Sequence, residues 1–356
     1  MNRLQSKLEK IGRNPQITAK AAGLRYSINV SIGFYRVKKG ETFEFIDENK
    51  KKIRSKDILE RIKKLVLPPA WENVWISRHD NGHLQATGVD AKGRKQYRYH
   101  AHWNKIRNQS KFYRLRNFAK ALPLIRKQVD TDLKKKGLPY EKVVALVVKL
   151  IELTNIRIGN DAYKKLYGSF GLTTLQDDHV NFRNNKIYFD FVGKKGVTHK
   201  ISLDSTKLAK IVKRCKEIPG QDLFQYYDSE GNHRCISSSD VNSYLKGITG
   251  EDFTAKDFRC WAGSVNAFEA FQKLSQPETV SEFKHKVIEV LDEVASKLGN
   301  TRTVCKKYYV HPTVIAAFES GSIWNYRPNT EDSELNGEEY ALVYLLENEM
   351  IAEVLS

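Results

Sequence analysis

The spacing of hydrophobic and polar positions changes part-way along the chain. Between residues 24 and 100, apolar and polar residues mostly alternate, which is typical of short strands with one buried face. The alternation predicts strands at 24–30, 42–46, 74–77, 83–87 and 94–100. Ser55 can begin a short helix that ends before Pro68 and Pro69. The N-terminal region is therefore expected to be small and β-rich.

From Tyr140 onwards, apolar positions recur every three to four residues, which indicates helices. Helices are predicted from residue 140 to about 153 and at 205–217, 254–274, 278–298 and 338–355. Asn160 and Gly168 are suited to begin and end a further short helix. Between these helices the pattern predicts a small sheet with strands at 172–175, 179–182, 187–192 and 197–203. The charged stretch at 102–127 is either a solvated helix or a hinge between two lobes.

These patterns predict an α+β protein with two domains. Residues 1–107 form a β-rich N-terminal domain, and residues 108–356 form a larger, mainly α-helical domain that carries a small antiparallel sheet. Of the 356 residues, 40% are hydrophobic and 11% are aromatic, so the chain can build a packed core in each domain.

Charge favours nucleic acid as the partner. Lys and Arg number 60 against 42 Asp and Glu, which gives a net charge of +18. A cationic protein that neutralises phosphates releases their condensed counterions, so this excess suits a polyanion. The segment after Arg327 contains no Lys or Arg and is acidic, so the nucleic-acid surface is expected to end before it.

Cysteine spacing and hydropathy bear on the compartment. The four cysteines lie far apart without a C-x-x-C pair, which argues against a zinc site and against a disulfide framework. The first residues contain no apolar signal core, and no apolar run approaches the length of about 18 residues needed to cross a bilayer. A cytosolic or nuclear protein without a membrane span or a metal site is expected.

Five polar side chains that lie far apart in the sequence suit attack of a tyrosine on a phosphodiester: Arg157, Lys194, Arg259, Asn300 and Tyr309. Two planar guanidiniums can hold both non-bridging oxygens and stabilise the transition state. A lysine at a hairpin tip can protonate the leaving sugar oxygen. Taken singly, each residue is more often a surface, turn, cap or core residue, so the hypothesis depends on their order and on the flanking residues.

Short motifs accompany these residues in a fixed order. They are Leu67-Pro68-Pro69-Ala70-Trp71, Val74-Trp75-Ile76, Gln85-Ala86-Thr87-Gly88, Gly93-Arg94-Lys95-Gln96-Tyr97, Arg157-Ile158-Gly159-Asn160, Phe191-Val192-Gly193-Lys194, Lys256-Asp257-Phe258-Arg259 and Gly299-Asn300-Thr301. Together the motifs resemble those of the small type IB DNA topoisomerases of bacteria and poxviruses, over most of the chain. Tyr309 follows Asn300 by nine residues, which is also the spacing in that family.

The resemblance implies a role for each candidate residue. Tyr309 is expected to be the nucleophile that forms a 3′-phosphotyrosyl bond, with Arg157 and Arg259 holding the scissile phosphate and Lys194 protonating the 5′-oxygen. Asn300 stands where poxvirus enzymes have histidine and bacterial relatives have asparagine. This difference favours a bacterial-type, nucleoid-associated protein and implies that no imidazole serves at the site.

Two neighbouring residues keep alternatives open. Tyr308 adjoins Tyr309, and only the spacing from Asn300 selects Tyr309 as the nucleophile. Lys195 adjoins Lys194, and only the position after Val192-Gly193 selects Lys194 as the acid.

The resemblance also implies a C-shaped clamp that closes around duplex DNA, mainly through backbone contacts, and that acts as a monomer. DNA contacts are expected from Gln96, Tyr97, Tyr99 and Lys256. In a strand, Tyr97 and Tyr99 share one face and Gln96 points to the other, so Gln96 is the weaker candidate. An aromatic ladder that supports the sheet is the alternative role for the tyrosines.

The activity implied is relaxation of supercoiled DNA by transient cleavage of one strand, without ATP, metal or another cofactor. One alternative is a tyrosine site-specific recombinase, but Lys256-Asp257-Phe258-Arg259 replaces the His-x-x-Arg pattern usual in that class. Another alternative is a basic DNA-binding protein without catalytic activity, which would tolerate the change Tyr309→Phe.

Overall fold

The computed structural model describes residues 14–27, 32–40, 42–91, 93–327 and 334–355. The chain forms two compact units, Met1–Arg114 and Leu115–Ser356. Helices predominate, and the strands form small antiparallel sheets, so the predicted α+β class is confirmed. The units divide a few residues after the predicted domain boundary at residue 107.

The first unit is built on a five-stranded antiparallel sheet with the strand order β2-β1-β3-β4-β5. Its elements are α1 (Pro15–Ala21), β1 (Phe34–Lys39), β2 (Thr42–Ile46), α2 (Lys56–Lys64), β3 (Glu72–Ile76), β4 (Leu84–Val89) and β5 (Lys95–Tyr99). Helix α2 packs on the sheet because Ile62 joins Phe34, Val74, Ile76 and Ala86 in one buried cluster. Strands β1, β3 and β4 thus share one core with α2.

Four of the predicted N-terminal strands are confirmed as β2, β3, β4 and β5. The strand predicted at 24–30 is wrong for the residues described, because Arg25 forms only an isolated bridge with Gly82, and 28–30 lie outside the described residues. Strand β1 was missed, since its second half, Val37–Lys39, is exposed and largely cationic and does not display an apolar face.

Two N-terminal motifs meet inside this unit. A Cβ atom at Gly88 would lie 2.8 Å from Cε3 of Trp71, so the indole packs directly on the glycine backbone. Gln85 is buried and donates through Nε2 to three carbonyl oxygens of the turn at 79–82, at 2.7–3.1 Å. These motif residues therefore hold β4 against the turns beside it.

The second unit surrounds a nearly fully buried helix, α4. Its elements are α3 (Ala101–Asp132, which begins in the first unit), α4 (Tyr140–Thr154), α5 (Asp161–Tyr167), β6 (Val180–Arg183), β7 (Lys186–Val192), β8 (Thr198–Asp204), α6 (Thr206–Lys216), β9 (Gln225–Tyr227), β10 (His233–Cys235), α7 (Ser238–Thr249), α8 (Ala255–Gln272), α9 (Val280–Leu298), α10 (Arg302–Tyr308), α11 (Pro312–Ser320) and α12 (Gly337–Leu355). Helix α8 packs against α4, α9, α11 and α12 and is the second central element.

The predicted helices are confirmed as α4, α5, α6, α8, α9 and α12, and the sheet β6-β7-β8 is confirmed. The strand predicted at 172–175 is wrong. Residues Leu172–Thr174 form a 3₁₀ turn, because the amide N–H of Leu172 donates to the carbonyl oxygen of Arg157 at 2.8 Å and not to a strand. The charged stretch at 102–127 is helical, and its second half buries Phe118 and Leu122.

The acidic C-terminal helix α12 is part of the core. Leu342, Leu345 and Leu346 are buried, and so is the carboxylate of Glu339. Glu339 accepts two hydrogen bonds from the guanidinium of Arg126, at 2.8 and 2.9 Å, and one from the indole of Trp261 at 2.9 Å. Helix α12 is thereby joined to α3 and α8.

Within the described ranges, no helix combines the length and the apolar character that crossing a bilayer requires.

Candidate active site

Arg157 lies just beyond the end of α4. The helix ends at Thr154, and the capping residue Asn155 has a φ of 55°, in the left-handed region, which turns the chain sharply. The following segment is fixed by Leu172 and Thr173, whose amides donate to the carbonyl oxygens of Arg157 and Ile158 at 2.8 and 2.7 Å. The wrongly predicted strand at 172–175 therefore serves as the backbone support of Arg157.

Arg259 reaches the same place from the second turn of α8. Its side chain is buried, and it donates to the carbonyl oxygen of Asn155 and, at 2.8 Å, to that of Leu298. These two carbonyl groups stand at the C-terminal ends of α4 and α9, where the helix dipole is negative and favours a cation. The guanidinium is thus desolvated, and its acceptors in these two contacts are neutral carbonyl oxygens and not carboxylates.

Asn300 completes this side of the site. Gly299 ends α9 with a φ of 56°, which a glycine adopts at little cost, and Asn300 follows. Nη2 of Arg157 donates to Oδ1 of Asn300 at 2.5 Å and to the carbonyl oxygen of Gly299 at 3.1 Å. Since Oδ1 is engaged, the amide presents its Nδ2 hydrogens, one of which makes a long bond of 3.3 Å to Leu298.

Tyr309, not Tyr308, faces the arginines. The ring of Tyr309 lies 5.1 Å from the Cζ atom of Arg259, and Tyr309 also interacts electrostatically with Arg157. Its backbone is held by Ser264 of α8, whose hydroxyl donates to the carbonyl oxygen of Tyr309 at 3.1 Å. Tyr308 is more exposed, and Nζ of Lys307 lies 5.3 Å from its ring.

The electrostatics of this cluster favour an anion. Burial and the charge of Arg259 lower the pKa of Arg157 below its ordinary value, but a guanidinium stays protonated. Two adjacent, partly desolvated cations attract a phosphate group strongly. Cys305 is buried beside them, and burial raises the pKa of its thiol to about 11, so it remains a thiol and not a nucleophile.

Lys194 lies at the exposed turn between β7 and β8, outside the contacts described above. Its ammonium is 5.7 Å from the ring of Tyr163. The adjacent Lys195 has a φ of 67°, in the left-handed region, so the two lysines occupy different backbone conformations within one tight turn. The structure therefore brings together four of the five predicted residues and leaves the lysine at the hairpin.

The predicted DNA-contact residues occupy both units. In β5, the rings of Tyr97 and Tyr99 stack with centroids 6.0 Å apart, which confirms that they share a face. Gln96 donates to Asp90 at 2.9 Å, within its own unit. Tyr97 is half exposed, while Tyr99 also stacks on Trp103, so the sheet-supporting role applies chiefly to Tyr99. Lys256 is exposed in the first turn of α8.

Sequence reasoning missed His199. The imidazole stacks on Phe191 with centroids 5.1 Å apart and lies against the backbone of Gly193 and Gly299. Burial and the charges of Arg157 and Arg259 lower its pKa. The expectation that no imidazole serves at the site was based on Asn300 alone and stays a prediction. The only signal in the sequence is a histidine on the strand that follows the lysine turn, and it is too weak to select the residue.

A phenol and an amide beside two partly desolvated guanidiniums define a site suited to a phosphodiester. Sequence comparisons agree with this chemistry. The family model described as the catalytic core of eukaryotic DNA topoisomerase I matches residues 100–329, and that of the N-terminal domain of bacterial DNA topoisomerase IB matches residues 42–90.

Individual relatives give the same result. DNA topoisomerase 1B of Acanthamoeba polyphaga mimivirus is 32% identical over 289 residues, which cover 78% of this chain and 85% of that protein. DNA topoisomerase 1B of vaccinia virus (strain Copenhagen) is 23% identical over 234 residues, covering 64% of this chain and 70% of the viral protein. DNA topoisomerase 1 of Mycosarcoma maydis is 24% identical over 247 residues, covering 69% of this chain and 21% of the fungal protein.

The chain therefore belongs to the type IB DNA topoisomerase family, and the resemblance found in its motifs is confirmed. It is a DNA topoisomerase, an isomerase that acts on DNA.

Proposed function

We propose that the protein relaxes supercoiled duplex DNA by transient cleavage of one strand, with Tyr309 as the nucleophile. The observation that carries this proposal is the position of the Tyr309 ring, 5.1 Å from the guanidinium carbon of Arg259 and within electrostatic reach of Arg157. The two cations favour the phosphate that Tyr309 would attack and the charge that develops on it.

The reaction is a transesterification. The hydroxyl oxygen of Tyr309 bonds to phosphorus, its proton passes to solvent, and the bond between phosphorus and the 5′-oxygen breaks. Lys194 protonates that oxygen, because a sugar alkoxide is a poor leaving group. The amide of Asn300 donates to a non-bridging oxygen. The 3′-phosphotyrosyl linkage is the one that the family resemblance implies.

Religation reverses these steps, and the 5′-hydroxyl returns its proton to Lys194. One phosphodiester replaces another throughout, so the bond energy is retained and torsion in the DNA can drive the strand rotation. We therefore expect activity without ATP or divalent metal. One chain supplies all five groups, which supports a monomer. The expected location remains the bacterial cytoplasm, at the nucleoid.

The experiment combines relaxation with trapping. Supercoiled plasmid, both negative and positive, is incubated with the protein in EDTA without ATP, and matched reactions are stopped with detergent. The parent is expected to relax both plasmids and to form a covalent adduct on the 3′ end. Tyr309→Phe is expected to bind DNA but to form no adduct.

Tyr308→Phe is the matched control, since it removes the neighbouring hydroxyl, and it should still form the adduct. A dead Tyr308→Phe variant with an active Tyr309→Phe variant would show that the nucleophile is misassigned. An adduct on the 5′ end, or a strict need for ATP, would contradict the proposed reaction as a whole.

A further inference from the structure

The ring of His199 fills a slot between two glycines that precede functional residues. A Cβ atom at Gly193 would lie 2.6 Å from the Cδ2 and Nε2 atoms of the imidazole, and one at Gly299 would lie 2.4 Å from its Cε1 atom. A Cβ atom essentially never comes this close to a non-bonded atom, so the ring is in direct contact with both backbones. Gly193 immediately precedes Lys194, and Gly299 immediately precedes Asn300.

His199 is itself held firmly. It pairs with Phe191 across β7 and β8, and the two rings stack at an interplanar angle of 20°. Phe191 is buried in the core of the second unit. The imidazole is therefore a rigid extension of the sheet, and it contacts the glycine turn through which Arg157 is held at 3.1 Å.

The lysine turn has few other restraints. Its backbone is closed by two hydrogen bonds, from the amide of Gly193 to the carbonyl oxygen of Val197 at 2.7 Å and from that of Gly196 to Gly193 at 3.1 Å. The residues from Lys194 to Val197 are exposed. The contact between His199 and Gly193 is thus the point at which packing fixes the base of the turn.

We propose that His199 is a positioning residue that ties the Lys194 turn to the Gly299-Asn300 turn, so that acid and phosphate-binding groups keep one geometry. The inference deepens the proposed function and rests on it. Misplacement of a reacting group by about 1 Å can lower a rate by about 100-fold, so a ring that sets this distance affects catalysis without contacting DNA.

The test uses two duplexes that differ in one atom. In the second duplex, sulfur replaces the scissile 5′-oxygen. The leaving group is then a thiolate, whose conjugate thiol has a pKa of about 8.5, so it needs no proton donor. Single-turnover cleavage of each duplex is measured for the parent and for His199→Ala. The variant is expected to cleave the oxygen duplex up to about 100-fold more slowly and to recover most of its rate on the sulfur duplex.

Gly193→Ala provides a second variant with the opposite steric change. The φ of Gly193 is −95°, which alanine adopts readily, so the added methyl group acts only by colliding with the ring. It should show the same sulfur-selective recovery. In the double variant the methyl group has no ring to meet, so Gly193→Ala should cost little in the His199→Ala background.

A readout without DNA tests the tie independently of the reaction. Hydrogen exchange of the amides at 193–197 should be faster in His199→Ala than in the parent. His179→Ala is the control, because it removes another half-buried imidazole that packs near Phe191 but accepts its hydrogen bond from Gln176. It should leave exchange in the lysine turn unchanged.

Equal slowing on both duplexes, or no slowing at all, would overturn the positioning role. Unchanged exchange at 193–197 in His199→Ala would overturn the tie itself. Failure of the parent to form any adduct would contradict the proposed function instead, and the exchange measurement would still decide whether His199 restrains the turn.

Discussion

At the scale of single residues, the site depends on what the two guanidiniums bond to. Arg259 donates to backbone carbonyl oxygens at the ends of two helices, and Arg157 donates to an amide oxygen and a carbonyl oxygen. These neutral acceptors orient the side chains and leave their positive charge available. A carboxylate in the same place would compete with the phosphate, so the fold uses helix ends to hold cations that have to bind an anion.

Lys194 is the residue whose role needs the sharpest test, because Lys195 is adjacent. Lys194→Ala should cleave ordinary DNA about 10²- to 10⁴-fold more slowly, the usual cost of a lost general acid, and should regain most of its rate on the duplex with a 5′-sulfur. Single-turnover cleavage rates measure both effects. Lys195→Ala is the matched control and should resemble the parent.

Arg157→Ala and Arg259→Ala should be slow on both duplexes, since the phosphate charge remains unstabilised. A Lys194→Ala variant that is equally slow on both would indicate a phosphate contact and not an acid. Recovery confined to Lys195→Ala would assign the acid to the next residue of the turn.

The lowered pKa of His199 predicts a pH-dependent stability. Its folded-state pKa lies below the unfolded value of about 6.5, so the unfolded chain binds the proton more readily. The free energy of unfolding should therefore decrease as the pH falls below about 6.5 and through the folded-state pKa. Burial of the ring disfavours its charged form most, and the charges of Arg157 and Arg259 add to this effect.

Urea denaturation at several pH values measures this effect. His83, His100 and His179 also have lowered pKa values, so the parent must be compared with His199→Phe, which keeps a ring on Phe191 but cannot titrate. The variant should lose less stability on acidification than the parent. An identical pH dependence in both proteins would show that the pKa of His199 is not lowered in the folded state.

At the scale of elements, helix α12 stabilises the helix that carries Arg259. Burial alone would raise the pKa of Glu339, but hydrogen bonds from Arg126 and Trp261 lower it, so the carboxylate is charged inside the core. Arg126 also pairs with Glu152 of α4 at 2.6 Å. One buried network thus connects α3, α4, α8 and α12. Its member on α8, Trp261, lies two residues after Arg259.

Breaking this network should be costly. Glu339→Gln leaves Arg126 with one charged partner and should lower the free energy of unfolding by about 3 kcal/mol, as is typical when one member of a buried ion pair is removed. Glu347→Gln on the same helix is the control, because its partner Lys120 is largely exposed, and it should cost less than about 1 kcal/mol. Denaturant midpoints compare the two, and similar losses would contradict a structural role for the buried network.

Elements with a clear period could be predicted from sequence, and elements fixed by distant contacts could not. Helix α4 could be predicted from its apolar residues, because a helix that is buried on nearly all sides needs them for packing. The segment at 172–175 is apolar enough for a strand, but its amides bond to the turn at Arg157, which lies 15 residues earlier in the chain. No local pattern reveals that partner.

The same distinction applies to the site. Arg157, Arg259, Asn300 and Tyr309 stand in recognisable motifs, and the structure brings them together. His199 stands in no motif. Its proposed role comes from its contacts with Gly193 and Gly299, and Gly299 lies 100 residues later in the chain, so spacing could not select the histidine. Contacts of this kind follow from the fold alone.

At the scale of the whole molecule, positive and negative charges are unevenly distributed along the chain. All the Lys and Arg residues lie before residue 328, and in the acidic segment that follows, helix α12 has a buried apolar face. The logarithm of DNA affinity should fall linearly with the logarithm of salt concentration, by about 0.9 for each phosphate neutralised. The acidic helix supplies no cation, so neutralising its exposed carboxylates should leave this slope unchanged.

Removal of residues 328–356 is expected to weaken the fold and not the DNA surface. The deletion uncovers the core that Leu342, Leu345 and Leu346 fill, so the truncated protein should unfold at lower denaturant concentration. Leu345→Ala imitates this loss without changing the charge and should lower the free energy of unfolding by about 2–5 kcal/mol. Where circular dichroism shows that both variants remain folded, each should bind DNA with the salt slope of the parent. A folded truncated protein with a steeper salt slope would show instead that the acidic segment competes with DNA for cations of the binding surface.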